Sequence, residues 1–517
     1  MIWIIAKKEF RNNIVTPGFM IGMLLCLTLI PYTVYTGIKT YEVRLEQYNL
    51  DIKAAEDVYQ KAQVYATVNP IIVKPVSPMI IFSKGISEQT GSRVKLDRKE
   101  KPVFSSNIVS LSENPFMGNF ISLDFTTALT ILLSLLGILF SYDMLSREKE
   151  QGTLKLSLCN PVSRSAFFLG KVAGIFMTLV PILIVCFLVV FIIIQLSPSV
   201  KFAPEEYGRI MMLMILSLTY FSFFVFMGGL ISSRTKNSTT GIIVNLFIWC
   251  SFLFLLPGVT TYTGKNLTKI TDYKNLEYDL GQINLEFQSV IKEVENTLEK
   301  ENLIKEGYRY TSGWDWDGQH LILFTPKATT IEYERRKKEL LNPLIIENCD
   351  KKWIIQSDYL QQVYSQEKTI RYLSCLSPSE IFKHISASLC RTDMSTEVHF
   401  MDQVRQFQDV FYGYFIQNKI YSSYAYFAIQ KEEDMPKDWD EANAMAAKWE
   451  AESQRESTFD FSSFGYMDTS HLPRFTYTQS TFGDSLAVNM FFIAGILIAC
   501  ILLFWFSYIS FIKYDVR

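Results

Sequence analysis

A chain of 517 residues that is 49% hydrophobic, with a mean hydropathy of +0.14 and a formal net charge of −2, is too apolar for a string of soluble domains. Without a basic patch on a folded domain it does not read as a nucleic-acid binder either, which leaves a membrane protein with a large soluble portion. Of its eight cysteines, Cys26, Cys186, Cys250 and Cys500 fall in apolar runs and Cys159 in a polar loop; Cys349, Cys375 and Cys390 can therefore form one bridge at most, and whether one forms is open.

Ile2–Asn12 alternates Trp3, Ile4, Ile5 and Phe10 with Lys7, Lys8 and Arg11. Residues 1–15 are thus expected to lie as a helix in the headgroup layer rather than to act as a cleavable leader. Thr16 and Pro17 supply the N-cap and first-turn proline of a first span over 16–38. In the insertion 39–120, Tyr41, Leu45, Tyr48, Ile52, Ala55, Tyr59, Ala62 and Ala66 recur alternately four and three apart. That stripe predicts a helical arm continuing the first span and packed on another helix. Beyond it, 69–111 reads as short strands and turns.

A second span covers 121–142, a polar loop 143–171, a third span 172–196, a turn 197–207, a fourth span 208–231 and a short loop 232–240. A fifth span covers 241–257, a second insertion 258–484, a sixth span 485–512 and a tail 513–517. The segments 1–15, 143–171, 232–240 and 513–517 hold twelve basic against five acidic residues, a surplus of +7 in a chain of net charge −2. The bias places them in the cytoplasm. Within the second insertion, itself long enough for a domain, Leu280, Ile283, Phe287, Val290, Val294 and Leu298 form another near-heptad stripe. It is the expected partner of the arm, with Leu45, Tyr48, Ile52 and Tyr59 packing against Ile283, Phe287 and Val294 in one stalk. The expected fold is an α-helical multi-pass membrane protein: six transmembrane helices, both termini cytoplasmic, and a mainly helical extracytoplasmic domain built from two insertions with a helical stalk.

Between the second and third spans lies Tyr142–Lys171, YDMLSREKEQGTLKLSLCNPVSRSAFFLGK. Glu148, Glu150, Gly152, Thr153 and Leu154 lead into Leu156 and Leu158, followed by Asn160-Pro161. This reads as a short amphipathic helix broken by Pro161, with Ser163 capping the next helix. The order aromatic-Asp, Arg-Glu-x-Glu-x-Gly-Thr-Leu, x-Pro-Val-Ser-Arg, Leu-Gly-Lys resembles the first cytoplasmic loop of ABC-2 type permeases, such as those serving nitrous oxide reductase maturation. The resemblance implies that the loop docks on a separate ATPase subunit, with Glu148, Glu150, Gly152, Thr153, Leu154, Pro161, Arg164 and Lys171 as coupling residues. It also makes 1–15 the family's elbow helix. The stretch 75–85, PVSPMIIFSKG, looks like a segment recurring in permeases with large external insertions. Leu389–Asp393 with His399-Phe400 resembles the subfamily's extracytoplasmic domain of unknown function, with Cys-Arg-Thr-Asp where small-Gly-Thr-Asp is usual.

The phosphate-cradling sequence GxxxxGK[ST] is absent: Gly170-Lys171 and Gly264-Lys265 lack both the earlier glycine and the following Ser or Thr. The chain is therefore expected to hold no cofactor and to be no enzyme, with ATP and magnesium residing on a partner ATPase. His320, His384, His399 and His471 show no metal-ligand spacing. Asn245 and Asn489 either line a path or join helices by hydrogen bonds, and Trp314 and Trp316 read as anchors of a surface turn. Expected partners are an ATPase dimer, a second permease copy or paralogue, membrane lipid and a periplasmic protein, with no nucleic acid.

The sequence supports two readings. One is a bacterial inner-membrane exporter permease of unidentified substrate; the other is a mechanotransmission or assembly scaffold that moves a periplasmic partner without transport. A third, a membrane-anchored periplasmic enzyme or receptor, would not need the loop motif, and an adjacent ATPase gene separates it from the first two.

Overall fold

The computed structural model describes residues 1–87, 90–102, 124–159, 162–301, 303, 310–311, 322–453 and 465–514. In chain order these form α1 (Ile2–Ile14), α2 (Pro17–Gln60), the antiparallel strands β1 (Ile71–Val73) and β2 (Arg93–Lys95), α3 (Phe125–Ser141), and the short helices α4 (Ser146–Glu150) and α5 (Thr153–Cys159). Next come α6 (Arg164–Leu196), α7 (Pro204–Arg234), α8 (Ser238–Leu267), α9 (Tyr273–Lys300), the ribbon β3 (Tyr310–Thr311) and β4 (Ile322–Leu323), and α10 (Lys327–Leu373). The chain ends with α11 (Pro378–Leu389), α12 (Met394–Gln417), α13 (Trp439–Ser453) and α14 (Phe482–Ile512). Six helical segments among the described residues are long and apolar enough to cross a bilayer: α2, α3 with α4, α6, α7, α8 and α14.

The small residues of α3 explain why it lies at the centre. Thr126, Thr130, Ser134, Gly137 and Ser141 recur at three- and four-residue spacing and are all buried. The hydroxyls of Thr130, Ser134 and Ser141 donate to carbonyls one turn back at 2.6–2.7 Å, so they enter an apolar interior satisfied. With no long side chains between them, the backbones of α3 and α7 come close. A Cβ added at Gly137 would lie 3.0 Å from Phe224 Cβ, and one at Gly228 would lie 2.8 Å from Ser141 Cβ. The outermost helix is α8, which passes through a π-helical turn at Ser251–Leu255 just before Pro257.

α2 runs unbroken for 44 residues, about 66 Å at 1.5 Å per residue, against a hydrocarbon layer of about 30 Å. Its far half therefore stands outside the bundle. There Tyr59 and Ala62 join a second core with Leu360 of α10 and Phe400, Val404, Phe411 and Phe415 of α12. Arg474 stacks on Tyr59 at 3.5 Å, while Tyr48 and Ile52 are half-buried and Leu45 packs on the core of the bundle.

The expected stalk pairing is corrected by the structure. Among the described residues the stripe of α9 is partnered by α10: Val294 and Leu298 pack with Tyr333, Leu340 and Leu344. Arg336 ties the pair by a two-bond fork to Glu301, at 2.9 Å each. Ile283 and Phe287 lie half-buried on the same helix. Closing a hairpin between helices adjacent in sequence costs less chain entropy than bringing α9 to an arm more than 200 residues away.

One element of the second insertion leaves the external body altogether. α11 presents Ile381, Phe382, Ile385 and Leu389 to the core it shares with α3, α7 and α14. Phe382 stacks on Tyr220 at 4.7 Å, and Tyr220 pairs its hydroxyl with that of Ser379, while the Leu389 carbonyl accepts from Arg209. α11 thus lies antiparallel to α7 between Arg209 and Tyr220, roughly 16 Å of helix. Its N-cap, Ser377, donates to the Phe252 carbonyl within the π-helical turn.

Candidate functional site

The loop between α3 and α6 grips the ends of four neighbouring helices. Its first turn starts on Ser232 of α7, whose Oγ accepts from the amides of Leu145 and Ser146 at 2.9 and 3.0 Å and so caps α4. Three consecutive residues of α4 then point to three different partners.

Glu148 meets Lys171 of α6 at 2.7 Å, and Glu9 of α1 meets the same ammonium at 3.1 Å. Lys171 is 6% exposed, so one cation joins two carboxylates out of water. The ammonium reaches them because α1 lies unusually close to α6. A Cβ at Gly170 would stand 2.7 Å from Ile5 Cβ, and one at Gly174 would stand 2.5 Å from Glu9 Cβ. The pair Gly170–Gly174 is a small-xxx-small spacing that lets two backbones touch.

Lys149 turns the other way. Its Nζ donates to the carbonyls of Ser232, Ser233 and Thr235, at 3.2, 2.5 and 3.1 Å, and lies 4.3 Å from the ring of Tyr514. It satisfies the orphan carbonyls at the end of α7 and places a cation at the negative end of the helix dipole. Glu150 does the converse at the next helix, accepting from Ser238 N at 3.1 Å at the start of α8.

The loop then turns at Gly152, φ +70°, where a Cβ-bearing residue would be strained. Thr153 opens α5 with its hydroxyl toward the Glu148 carbonyl at 3.4 Å. Leu154 is buried at 2%, whereas Leu156 is 71% exposed beside exposed Lys155 and Cys159. Pro161 lies outside the described residues. Ser163 caps α6 by accepting from Ala166 N, and Arg164 donates to the carbonyls of Ile512 and Tyr514, at 2.6 and 3.0 Å, closing the end of α14.

Glu148, Glu150, Arg164 and Lys171, named from sequence, are thus joined to one framework. Sequence reasoning missed Glu9 and Lys149. Glu9 had a signal: it is the only acid in α1 and shares a face with Ile5 and Ala6, the face that α6 covers. Asn245 and Asn489 do not converge. Asn245 is fully buried and donates to Gly241 O of its own helix, whereas Asn489 accepts from Arg371 of α10 at 2.8 Å. His399 bonds at Thr478 O, His320, Trp314 and Trp316 lie outside the described residues, and Cys349, Cys375 and Cys390 are free thiols. Among the described residues no group of His, Cys, Asp or Glu could hold a metal ion.

Residues 3–323 match the profile of the ABC-2 family transporter protein. The chain belongs to this family. Residues 347–478 of this ABC-2 protein match a domain of unknown function, DUF3526, which takes in the end of α10, α11, α12 and the segment after it. No individually curated protein matches the chain significantly. Family and fold together make it a multi-pass membrane permease component of an ABC transporter, of a family whose membrane proteins are not themselves enzymes and work with an ABC ATPase subunit.

Proposed function

We propose that this permease couples ATP hydrolysis on a separate ATPase dimer to export of a substrate across the bacterial inner membrane. It acts as one half of a permease dimer, with a second copy or a paralogue, and holds no nucleotide itself. The loop end of the bundle, including both termini, faces the cytoplasm, and the two insertions face the periplasm. The observation that carries the reading is that Glu148, Lys149 and Glu150 are fixed to α1 with α6, to α7 and to α8 respectively, while Arg164 holds α14. A push on exposed Leu156 and Lys155 at α5 is delivered to the ends of four spans at once. The test is ATPase stimulation in proteoliposomes containing the permease and its ATPase. Glu150→Lys and Gly152→Pro should abolish stimulation while leaving membrane insertion intact, and wild-type stimulation in both would sink the assignment.

A second reading, a lever that drives a periplasmic partner with nothing crossing the spans, draws support from α11, whose side chains fill space among α3, α7 and α14. Substrate-free ATP turnover that shifts crosslinks in the external body, with no transport of any candidate cargo, would favour it.

A further inference from the structure

At the end of the bundle away from the loop, the two insertions meet around a cleft of about 300 Å³, within the usual size range of small-ligand pockets. One wall is the α2 arm at Arg44 and Gln47; the other is the segment carrying Lys74 and Ser77; Arg391 and Thr396 close it, with Ile80 and Tyr477 as apolar lining. Three cations line the cleft, Arg44, Lys74 and Arg391. Each is already anchored: Lys74 to Glu397, a carboxylate of the lining that is 1% exposed, at 2.5 Å, Arg391 to Glu205 at 3.1 Å, and Arg44 to Ser87 O at 3.2 Å.

Arg391 carries the argument. Its backbone is left-handed, φ 58°, a conformation that suits glycine and strains any residue with a Cβ. The strained position nonetheless holds a guanidinium. Its Nε donates to Ser480 O at 3.1 Å, Nη1 to Gln479 Oε1 at 2.6 Å and Nη2 to Glu205 Oε1 at 3.1 Å. These bonds fix the plane of the fork and use three of its five N–H donors, leaving one on each terminal nitrogen. Two coplanar donors in a cleft that an ammonium also lines match the oxyanion of a phosphate, and the apolar lining matches a short body attached to it.

Height along the arm fits the same chemistry. Arg44 follows the start of α2 at Pro17 by 27 residues, about 40 Å of helix, beyond a hydrocarbon layer of about 30 Å. We infer that the cleft binds a phosphate ester through Arg391, Lys74 and Arg44, supplied either by the headgroup of an anionic phospholipid or by a soluble phosphoester.

The inference does not depend on the coupling mechanism, because its test needs no ATPase. Full-length permease in an uncharged detergent is titrated calorimetrically with dihexanoyl phosphatidylglycerol and, separately, with glycerol 3-phosphate. Saturable binding of the lipid alone assigns a headgroup site; binding of glycerol phosphate assigns a soluble ligand. Arg391→Gly suits the backbone and removes the fork, and Arg44→Gln lies on the arm outside the core. Each should weaken binding about tenfold, the effect of losing one hydrogen bond to a charged group. A thermal melt run alongside shows that each variant is folded, and if Arg391→Gly unfolds, Arg44→Gln decides. No binding of either probe to the wild type, or unchanged binding in the folded variants, overturns the site.

Discussion

Replacing Lys171 by Met removes an ammonium that stands 2.7 Å from Glu148 and 3.1 Å from Glu9. At an effective dielectric of about 20, each contact represents roughly 5–6 kcal/mol of Coulomb attraction. Most of that attraction offsets the several kcal/mol needed to take each ion out of water, so the triad as a whole contributes little net stability. The single variant is different, because it leaves two carboxylates facing each other where Lys171 was 6% exposed. Breaking a buried pair from one side costs about 3–5 kcal/mol. Lys171→Met should therefore unfold much more readily and release α1 from α6. The triple variant Lys171→Met, Glu9→Gln, Glu148→Gln removes all three charges and should return to within about 2 kcal/mol of wild type. Chemical unfolding in mild detergent, with proteolysis of α1 as a local readout, measures both. A single variant as stable as wild type, or a triple variant weaker than the single, would refute the reasoning.

Gly228→Val places a side chain 2.8 Å from Ser141 Cβ and should part α3 from α7, seen as a drop in melting temperature that Gly281→Val, at a site with open space, does not share. Cysteines at Val294 and Tyr333 should crosslink α9 to α10, whereas cysteines at Ile52 and Phe287 should not; the reverse result would restore the single-stalk arrangement. The Arg336 fork holds the Glu301 carboxyl below its ordinary value. A depressed carboxylate contributes stability above its unfolded pKa and loses it as pH falls through the folded one. Protection of the amides near the end of α9, with exchange corrected for its intrinsic pH dependence, should thus be flat from neutral pH down to about 5 and fall below about 4, and Arg336→Gln should remove that acid dependence.

The spans and their caps were legible because each depends on local chemistry. Apolar runs need no partner to be recognised, and Thr16 and Ser163 cap helices three residues away. The loop motif was legible for a second reason, since charge clustered between two apolar runs has to sit at a surface. What stayed hidden was long-range. The sequence of α10 is dense in Lys and Glu and carries Pro343 in its interior, so it did not read as a 47-residue partner for α9. α11 has the ordinary stripe of a surface helix, and nothing local says that Ile381 and Phe382 pack against spans. Lys149 sits between two acids on a five-residue helix, where it looks like surface charge; its role exists only because α7 ends beside it.

The two ends of α7 are held by different parts of the chain, and this bears on how the loop could act at a distance. At one end Lys149 and Ser232 bind it to the loop. At the other, Arg209, fully buried, donates to Leu389 O of α11, Ser485 of α14, Ser480 O and Glu205. Glu205 in turn accepts from Arg391 at the mouth of the phosphate cleft. Between these ends α7 is one continuous helix of 31 residues, about 46 Å long, with Tyr220 bonded to both α3 and α11 on the way. A displacement of the loop relative to α14 that keeps the Lys149 and Ser232 bonds is therefore passed on to α7. It has to tilt α7, slide Tyr220 against Phe382 or break the Arg209 cluster, and each of these moves the wall of the cleft. Arg209→Met tests that connection. It removes the buried guanidinium at the far end while leaving every loop contact in place, so ATPase stimulation falling with a loop crosslink unchanged would show that α7 transmits the load, and full stimulation would show that the loop works through α6, α8 and α14 alone.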